Sequence, residues 1–503
     1  MICVVVGAGI GGLAAAVELA AFGVDVDVVE ASSEAGGKAG RSVVAGVAFD
    51  TGPSVLTLVD VLDRVFRAAG TSLADEVQLV RASPVFHYRW PDGTLLPVHF
   101  DPVETEASVR DVLGPDAAQD FASFLSYAKD IWDAASPAFV MAPAPSLSSL
   151  VGFGVMSLAS SVSRIDPLRT MGGAIDRRVR SRHLRDLFAR YATYNGSDPR
   201  SAPATLNCIA HVELGLGCYG VRGGMYELVR ALERVAVRLG VRFHYDSPVE
   251  AVLVRDRVAR GVVVGGREVQ AGTVVVNADV RHLVDDLLDR SAPTGLSSRT
   301  APSLSGWTAV VAASADAERV AHTVLFPERY HEEFRDLFDR GVAPGEPTIY
   351  LCDQHLAHER GGWPDGRNPL FVMANAPPTT VGPDDDDAHA LREVVLGRLR
   401  RSGLISAGDE IVWERSPRGL ARRFPGTHGA LYGLASNSRL AAFRRPPNRI
   451  SSIGGLYLAS GSAHPGGGVP LCAQSGLLAA QAALFDLGIC EGGLDNTYSK
   501  AIH

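Results

Sequence analysis

The chain has 503 residues, 46% of them hydrophobic and 21% charged, with a net charge of −8. Such a length and balance imply two or three packed units with ample cores, and exclude a small stapled scaffold and a disordered or fibrous chain. No basic run has the density that nucleic-acid binding requires, so no nucleic-acid partner is expected.

Ile2 to Val6 is short, β-branched and uncharged, and it ends at Gly7, so it reads as a central parallel strand buried on both faces. Small and apolar residues from Gly11 to Phe22 follow helical spacing, with Gly23 as the stop, and Val24 to Val29 is a second strand ending at Glu30. The apolar opening lacks a charged n-region and runs into Asp25 and Asp27, so it is a buried strand and helix, not an export signal. The six cysteines show no C-x-x-C spacing, which fits a reducing cytosol.

Helices are expected at Val59 to Ala69 and Ala117 to Ala135, separated by a hairpin from Phe86 to Leu96 with Asp92-Gly93 at its turn. Ser146 to Ser163 carries no charge and is either a surface that touches lipid or a buried helix of a substrate domain. Further on, a helix from Gly223 to Gly240 precedes strands at Val241 to Tyr245, Val249 to Val254, Val258 to Val264 and Thr273 to Val276, where the first sheet resumes. Trp307 to Ala312 and Thr348 to Cys352 are β-rich, and Asp384 to Asp387 caps a helix from Ala388 to Arg401 as solvated charge, not as a metal site. Gly455 to Ala459 is a last buried strand, leading through a glycine-rich turn into a small-residue helix from Gln474 to Leu484.

Gly7-x-Gly9-x-x-Gly12 follows a strand and opens a helix, and Glu30 lies at the end of the next strand. Gly7 permits the tight turn, Gly9 admits a pyrophosphate to the backbone N–H groups, with Ala8 and Gly11 in the same loop, and Gly12 lets helix and strand pack closely. Glu30 can accept ribose hydroxyls. The rival reading is a glycine-rich packed turn without a ligand.

Glu34-x-Gly36-Gly37-Lys38 and Phe49-Asp-Thr-Gly-Pro-Ser54 resemble the second glycine motif of the FAD-binding oxidoreductase superfamily that includes amine oxidases. The resemblance implies an α/β fold: a Rossmann-like FAD-binding domain with an interposed α+β substrate domain, in the amine-oxidase and GDI-like architecture. It places residues 1–75, 221–300 and 450–503 in the cofactor domain and 76–220 and 301–449 in a substrate-binding, membrane-contacting region. It further implies FAD contacts from Lys38 (diphosphate), Ser54, Val55, Val249 (adenine), Asn277, Leu304, Gly461, Gly468 and Val469. Val5-Val-Gly-Ala-Gly-Ile-Gly-Gly, Asn277-Ala-Asp and Leu456-Tyr-Leu-Ala-Ser-Gly-Ser-Ala-His-Pro-Gly-Gly-Gly-Val-Pro470 are similar to the bacterial phytoene-desaturase family. Trp90-Pro-Asp-Gly-Thr, Arg190-Tyr-Ala-Thr-Tyr-Asn-Gly196 and Arg422-Arg-Phe-Pro-Gly-Thr-His-Gly resemble its hydroxyneurosporene, or 1-hydroxycarotenoid 3,4-desaturase, branch.

The resemblance implies FAD-dependent desaturation of an acyclic, 1-hydroxylated carotenoid by hydride transfer. The terminal acceptor stays open, with oxygen and a quinone as the candidates, and the setting would be cytoplasmic with peripheral attachment to a membrane surface. No strong base is demanded; His464 is the candidate for proton transfer, its alternative being a backbone-shaping role. Tyr191, Tyr194 and Asn195 are candidates for the substrate tunnel, with core packing as the alternative. Two other functions stay open: a desaturase, isomerase or cyclase acting on another polyene, and a flavin-free prenyl-binding escort protein.

Overall fold

Ile2–Val6 pairs in parallel with Asp25–Val29 on one side and Thr273–Val276 on the other, and Arg242–His244 and Leu456–Leu458 complete a five-stranded parallel sheet. The protein is seen here as a computed structural model that describes residues 2–145, 164–290, 292–296, 300–379, 386–438 and 445–490. Strand alternation divides the sheet between two cores. Cys3, Val5, Val26, Val28 and Val275 pack against the helices Ile10–Ala21, Val59–Ala68, Tyr226–Arg238 and Val469–Asp486. Val4, Val6, Val29, Val274 and Val276 face a three-stranded antiparallel meander, Val249–Arg255, Val258–Val264 and Arg267–Gln270. A continuous apolar run is what a strand covered on both faces needs.

A second, seven-stranded sheet has the order Glu410–Arg415, Ser305–Ser314, Arg367–Ala376, Ile349–Asp353, His322–Leu325, Phe86–Arg89 and Leu95–Val98. Its pairs are antiparallel except His322–Leu325 against Phe86–Arg89. The helix Asp386–Arg401 covers Trp307, Ala309 and Val311 with Leu391, Val395 and Leu399. Phe86 and Tyr88 pack with Phe121, Phe124, Leu187 and Phe188 from the helices Pro115–Phe139 and Arg182–Arg190.

Several elements differ from expectation at their ends, some longer and some shorter. The long helix runs Pro115–Phe139, and the last helix starts at Val469 rather than at Gln474, because its first turn grows directly out of the glycine turn. The helix expected from Gly223 starts at Tyr226, since Gly223 and Gly224 both take positive φ (83° and 114°), which a helix cannot contain. Ser146 to Ser163, Asp384 and Asp385 lie outside the described residues. Among the described residues no helix is long and apolar enough to cross a membrane.

Candidate functional site

Gly7 (φ 97°) turns the chain out of the first strand, and the first helix begins after Gly9 with no side-chain cap and no acidic residue in its first turn. Its leading N–H groups are therefore available to an anion. Beneath this turn lies Asn277: its backbone N–H donates to Val6 O at 2.7 Å and its Nδ2 donates to Ala459 O. The carboxamide leaves no room for side chains above it, because a Cβ at Gly9 would sit 2.5 Å from Asn277 Oδ1 and one at Gly11 2.4 Å from Ala459 O. At Gly12 a Cβ would meet Gly7 O at 2.1 Å.

The Glu30 carboxylate closes the turn from the side. Its Oε2 accepts from Ala8 N–H at 2.7 Å, and its Oε1 accepts from the Ser32 N–H and hydroxyl at 2.8 and 2.6 Å. Ser247 N–H donates to Glu30 O at 2.9 Å, which brings Val249, at the head of its strand, to the same edge. Gly36 N–H donates to Ala8 O at 2.9 Å, so the Gly36-Gly37 segment lies over the glycine turn. Lys38, one residue on, donates from Nζ to Ala430 O (2.7 Å) and Leu431 O (3.2 Å), and burial pushes its pKa down while Asp279 pulls it up. Leu304 is fully buried; its N–H donates to Gly196 O, and its carbonyl accepts from the N–H of Leu431, whose own carbonyl accepts from Lys38 Nζ.

Ser54, Val55, Gly468 and Val469 meet at a cavity of roughly 1160 Å³, while Gly461 stands behind it, where a Cβ would lie 3.2 Å from Cys472 Sγ. Gly468 (φ 104°) opens the last helix, again with no side-chain cap and no acidic first turn, so a second helix N-terminus points at the cavity wall. The cavity is mostly apolar, with Trp132, Phe139, Ile209, Val324 and Phe371 among its walls. It is larger than the ~300–1,000 Å³ usual for small-molecule sites.

His464 is buried at this wall, and its Nε2 donates to Ala142 O at 2.9 Å. Burial holds its pKa down to about 4, so at neutral pH it is uncharged with one ring nitrogen already committed. Tyr194 and Asn195 line the cavity, whereas the Tyr191 ring is fully buried behind it. Sequence reasoning missed two groups. Arg445 Nη2 donates to Asn195 Oδ1 at 2.9 Å and to Leu434 O, and burial lowers its pKa to about 10. Arg190 is paired with Glu213 at 3.3 Å, both deeply buried and both lining the cavity. Nothing in the local pattern marks either as functional; the signals in the sequence are the Arg190 to Gly196 and Phe443-Arg-Arg-Pro446 segments, both of which resemble the hydroxyneurosporene branch.

The family of flavin containing amine oxidoreductases matches residues 10–484. The chain belongs to this family. It is also 36% identical over 497 residues to the hydroxyneurosporene desaturase of Rubrivivax gelatinosus, covering 96% of this chain and 93% of that one. Similarity to the carotenoid 3,4-desaturase of Haloarcula japonica is 31% identity over 96% of this chain and 98% of the relative. Among solved structures, an oxidoreductase from Methanosarcina mazei shares the fold with a TM-score of 0.63 at 17% identity, over 96% of this chain and 100% of that one. Cyclohexylamine oxidase from Brevibacterium oxydans does so with a TM-score of 0.57 at 16% identity, over 97% and 99%. The expected α/β flavoenzyme fold is thus the observed one. As a member of this family the protein is an oxidoreductase whose cofactor is FAD, and the residues present fit that group. Two uncapped helix N-termini, a glycine floor with no space for a Cβ, and a carboxylate at the end of the second strand are the features a flavin dinucleotide requires.

Proposed function

We propose that the protein introduces a C=C bond into an acyclic, 1-hydroxylated carotenoid, next to the hydroxylated end. The observation that carries this reading is the large apolar cavity with Gly468, Val469, Ser54 and Val55 at one wall, because a long hydrocarbon must be held dry against the cofactor. The 36% identity to a hydroxyneurosporene desaturase over nearly the whole chain supports it. We assign residues 1–75, 221–300 and 450–503 to cofactor binding and 76–220 and 301–449 to substrate binding, in keeping with the separate five- and seven-stranded sheets. FAD is held by the glycine turn, Glu30, Lys38 and the start of the last helix.

When bound, FAD supplies a two-electron acceptor that takes a hydride from an allylic carbon. The chain's own contribution is positioning. Apolar walls such as Ile209, Val324 and Phe371 exclude water and restrain the polyene, and orientation of the CH2–CH2 unit is worth several orders of magnitude in rate. Loss of the second hydrogen as a proton is not assigned to a strong base. His464 keeps Nε2 on Ala142 O and has its pKa held near 4, so it shapes the wall of the site. A substrate that lives in the bilayer requires peripheral docking on a membrane surface.

The test is expression in cells that accumulate defined acyclic carotenoids with and without a terminal hydroxyl. The expected outcome is a red shift of the hydroxylated pigment by one added double bond, with the protein yellow and recovered in the membrane fraction at low salt. Conversion of phytoene, or no conversion of any hydroxylated pigment, overturns the reading.

A further inference from the structure

Arg445 stands at the cavity wall as a buried cation with no carboxylate partner among the described residues. It is 8% exposed, and its contacts are all neutral. Nη2 donates to Asn195 Oδ1 at 2.9 Å, Leu434 O at 3.1 Å and Ser436 Oγ at 3.4 Å, while Nη1 has no acceptor. The other arginines on this cavity are answered: Arg190 pairs with Glu213 at 3.3 Å, and Arg164 faces Asp130 at 3.9 Å. Burial lowers the Arg445 pKa only to about 10, so the group is charged at neutral pH. An unpaired buried charge is expensive, and a wall that keeps one points to a negative charge the chain itself does not supply.

The position of Arg445 narrows what that charge is. Its guanidinium carbon would lie 3.3 Å from a Cβ at Gly466, in the turn that opens the last helix. One residue on, a Cβ at Gly467 would meet Tyr432 Cα at 2.8 Å, and Tyr432 follows Leu431, whose carbonyl accepts from Lys38 Nζ. Lys38 is bonded to carbonyls alone, with Asp279 acting on it from farther off. Burial raises the pKa of Cys472, in the first turn of the last helix, to about 11, although Lys38 and Arg445 both pull it down. Two cations and an uncapped helix N-terminus therefore put positive potential around one turn, the same turn that meets the cofactor wall.

An oxidised flavin ring is neutral. A hydride brings it two electrons and one proton while the second hydrogen of the substrate leaves as a proton, so the reduced ring keeps one negative charge unless a further proton reaches it. The titratable groups that feel Arg445 do not supply one: His464 is neutral above about pH 4, and Cys472 holds its proton to about pH 11. We propose that Arg445 stabilises this negative charge on the reduced flavin and thereby raises the potential at which the cofactor accepts a hydride. Arg445 acts through space from behind the Gly466 turn, as a positioning residue, and needs no contact from the sealed Nη1. The role depends on the flavin and not on which carotenoid is oxidised.

The test uses the purified FAD enzyme without substrate, as wild type, Arg445→Met and Arg445→Lys. It reads flavin content, midpoint potential and affinity for sulfite, an anion that adds to the flavin ring and leaves it negatively charged. Arg445→Met should keep its flavin and bind sulfite at least tenfold more weakly, with a potential lower by at least about 30 mV, the equivalent of tenfold for a two-electron couple. Arg445→Lys keeps the charge and should stay within about threefold of the wild type. A folded, flavin-loaded Arg445→Met with unchanged potential and sulfite affinity would overturn the proposal. So would Arg445→Lys shifted as far as Arg445→Met, because the effect would then belong to the hydrogen bonds on Asn195, Leu434 and Ser436. The wild type decides even if both variants fail to fold or lose flavin. Between pH 5.5 and 6.5, where neither His464 nor Cys472 titrates, its potential should change as one proton per two electrons. Two protons would mean a neutral reduced ring and would overturn the assignment.

Discussion

His322, His358 and His464 are buried, and desolvation holds their pKa values down to about 3, 4 and 4. An unfolded histidine titrates near 6.5, so between those limits the unfolded chain binds more protons than the folded one, and stability rises with pH. Each histidine therefore removes up to about 1.4 kcal/mol of stability for every pH unit below 6.5. Asp186 opposes this below pH 6: burial raises its pKa to about 6, so its folded form binds the extra proton there. Glu333, whose carboxyl burial also pushes up, acts with Asp186, while burial lowers His87 and His211 as it does the three histidines above; five groups outweigh two, and the melting temperature is expected to fall as the pH is lowered from 7 to 5.5. His464→Gln, which retains a donor for Ala142 O, should flatten that slope by one histidine's share. Melting curves followed by circular dichroism at the two pH values decide it; a pH-independent Tm would contradict the buried neutral state.

At the scale of elements, the cofactor wall depends on how closely the first and last helices approach. Gly476, within Val469–Asp486, has its Cα so near the first helix that a Cβ would lie 2.2 Å from Gly11 O and 2.9 Å from Ala14 Cβ. Helix propensity alone predicts that Gly476→Ala stabilises by up to about 1 kcal/mol. Overpacking costs about 1–3 kcal/mol and here meets backbone, which cannot move aside as a side chain does. The net expectation is destabilisation. Gly397, in the helix Asp386–Arg401, is the control, since a Cβ there meets only the end of Arg401 at 3.4 Å. In urea unfolding, Gly397→Ala should be neutral or stabilising and Gly476→Ala destabilising; the same sign for both would mean that the two helices relax apart freely.

For the whole molecule, the cavity is the product of elements far apart in the chain: Ser54, Ile209, Val324, Phe371 and Gly468 share one space. Filling it should separate cofactor binding from turnover. Ile209→Trp is expected to leave flavin content and spectrum unchanged and to lower kcat/KM for the carotenoid at least tenfold; unaltered turnover would show that the substrate lies elsewhere. The strand, glycine turn and first helix, with Glu30 after them, were legible in the sequence because each is set by local rules: β-branched runs for strands, glycine where φ is positive or a Cβ has no room, a carboxylate one strand further on. Element ends slipped where a turn and a helix compete for the same residues, as at Gly223 and Gly468. Tertiary structure alone decided three things. It set Asn277 beneath the glycine turn, joined Lys38 to carbonyls nearly four hundred positions away, and brought Arg190 of one helix onto Glu213 of another. Hydrogen-bond partners of this kind leave no periodic trace, because only the chain path, not the local pattern, brings donor and acceptor together. The composition, pattern and motifs of this chain therefore determined that it binds a dinucleotide on a parallel sheet, and the packing of the two sheets decided what can enter beside it.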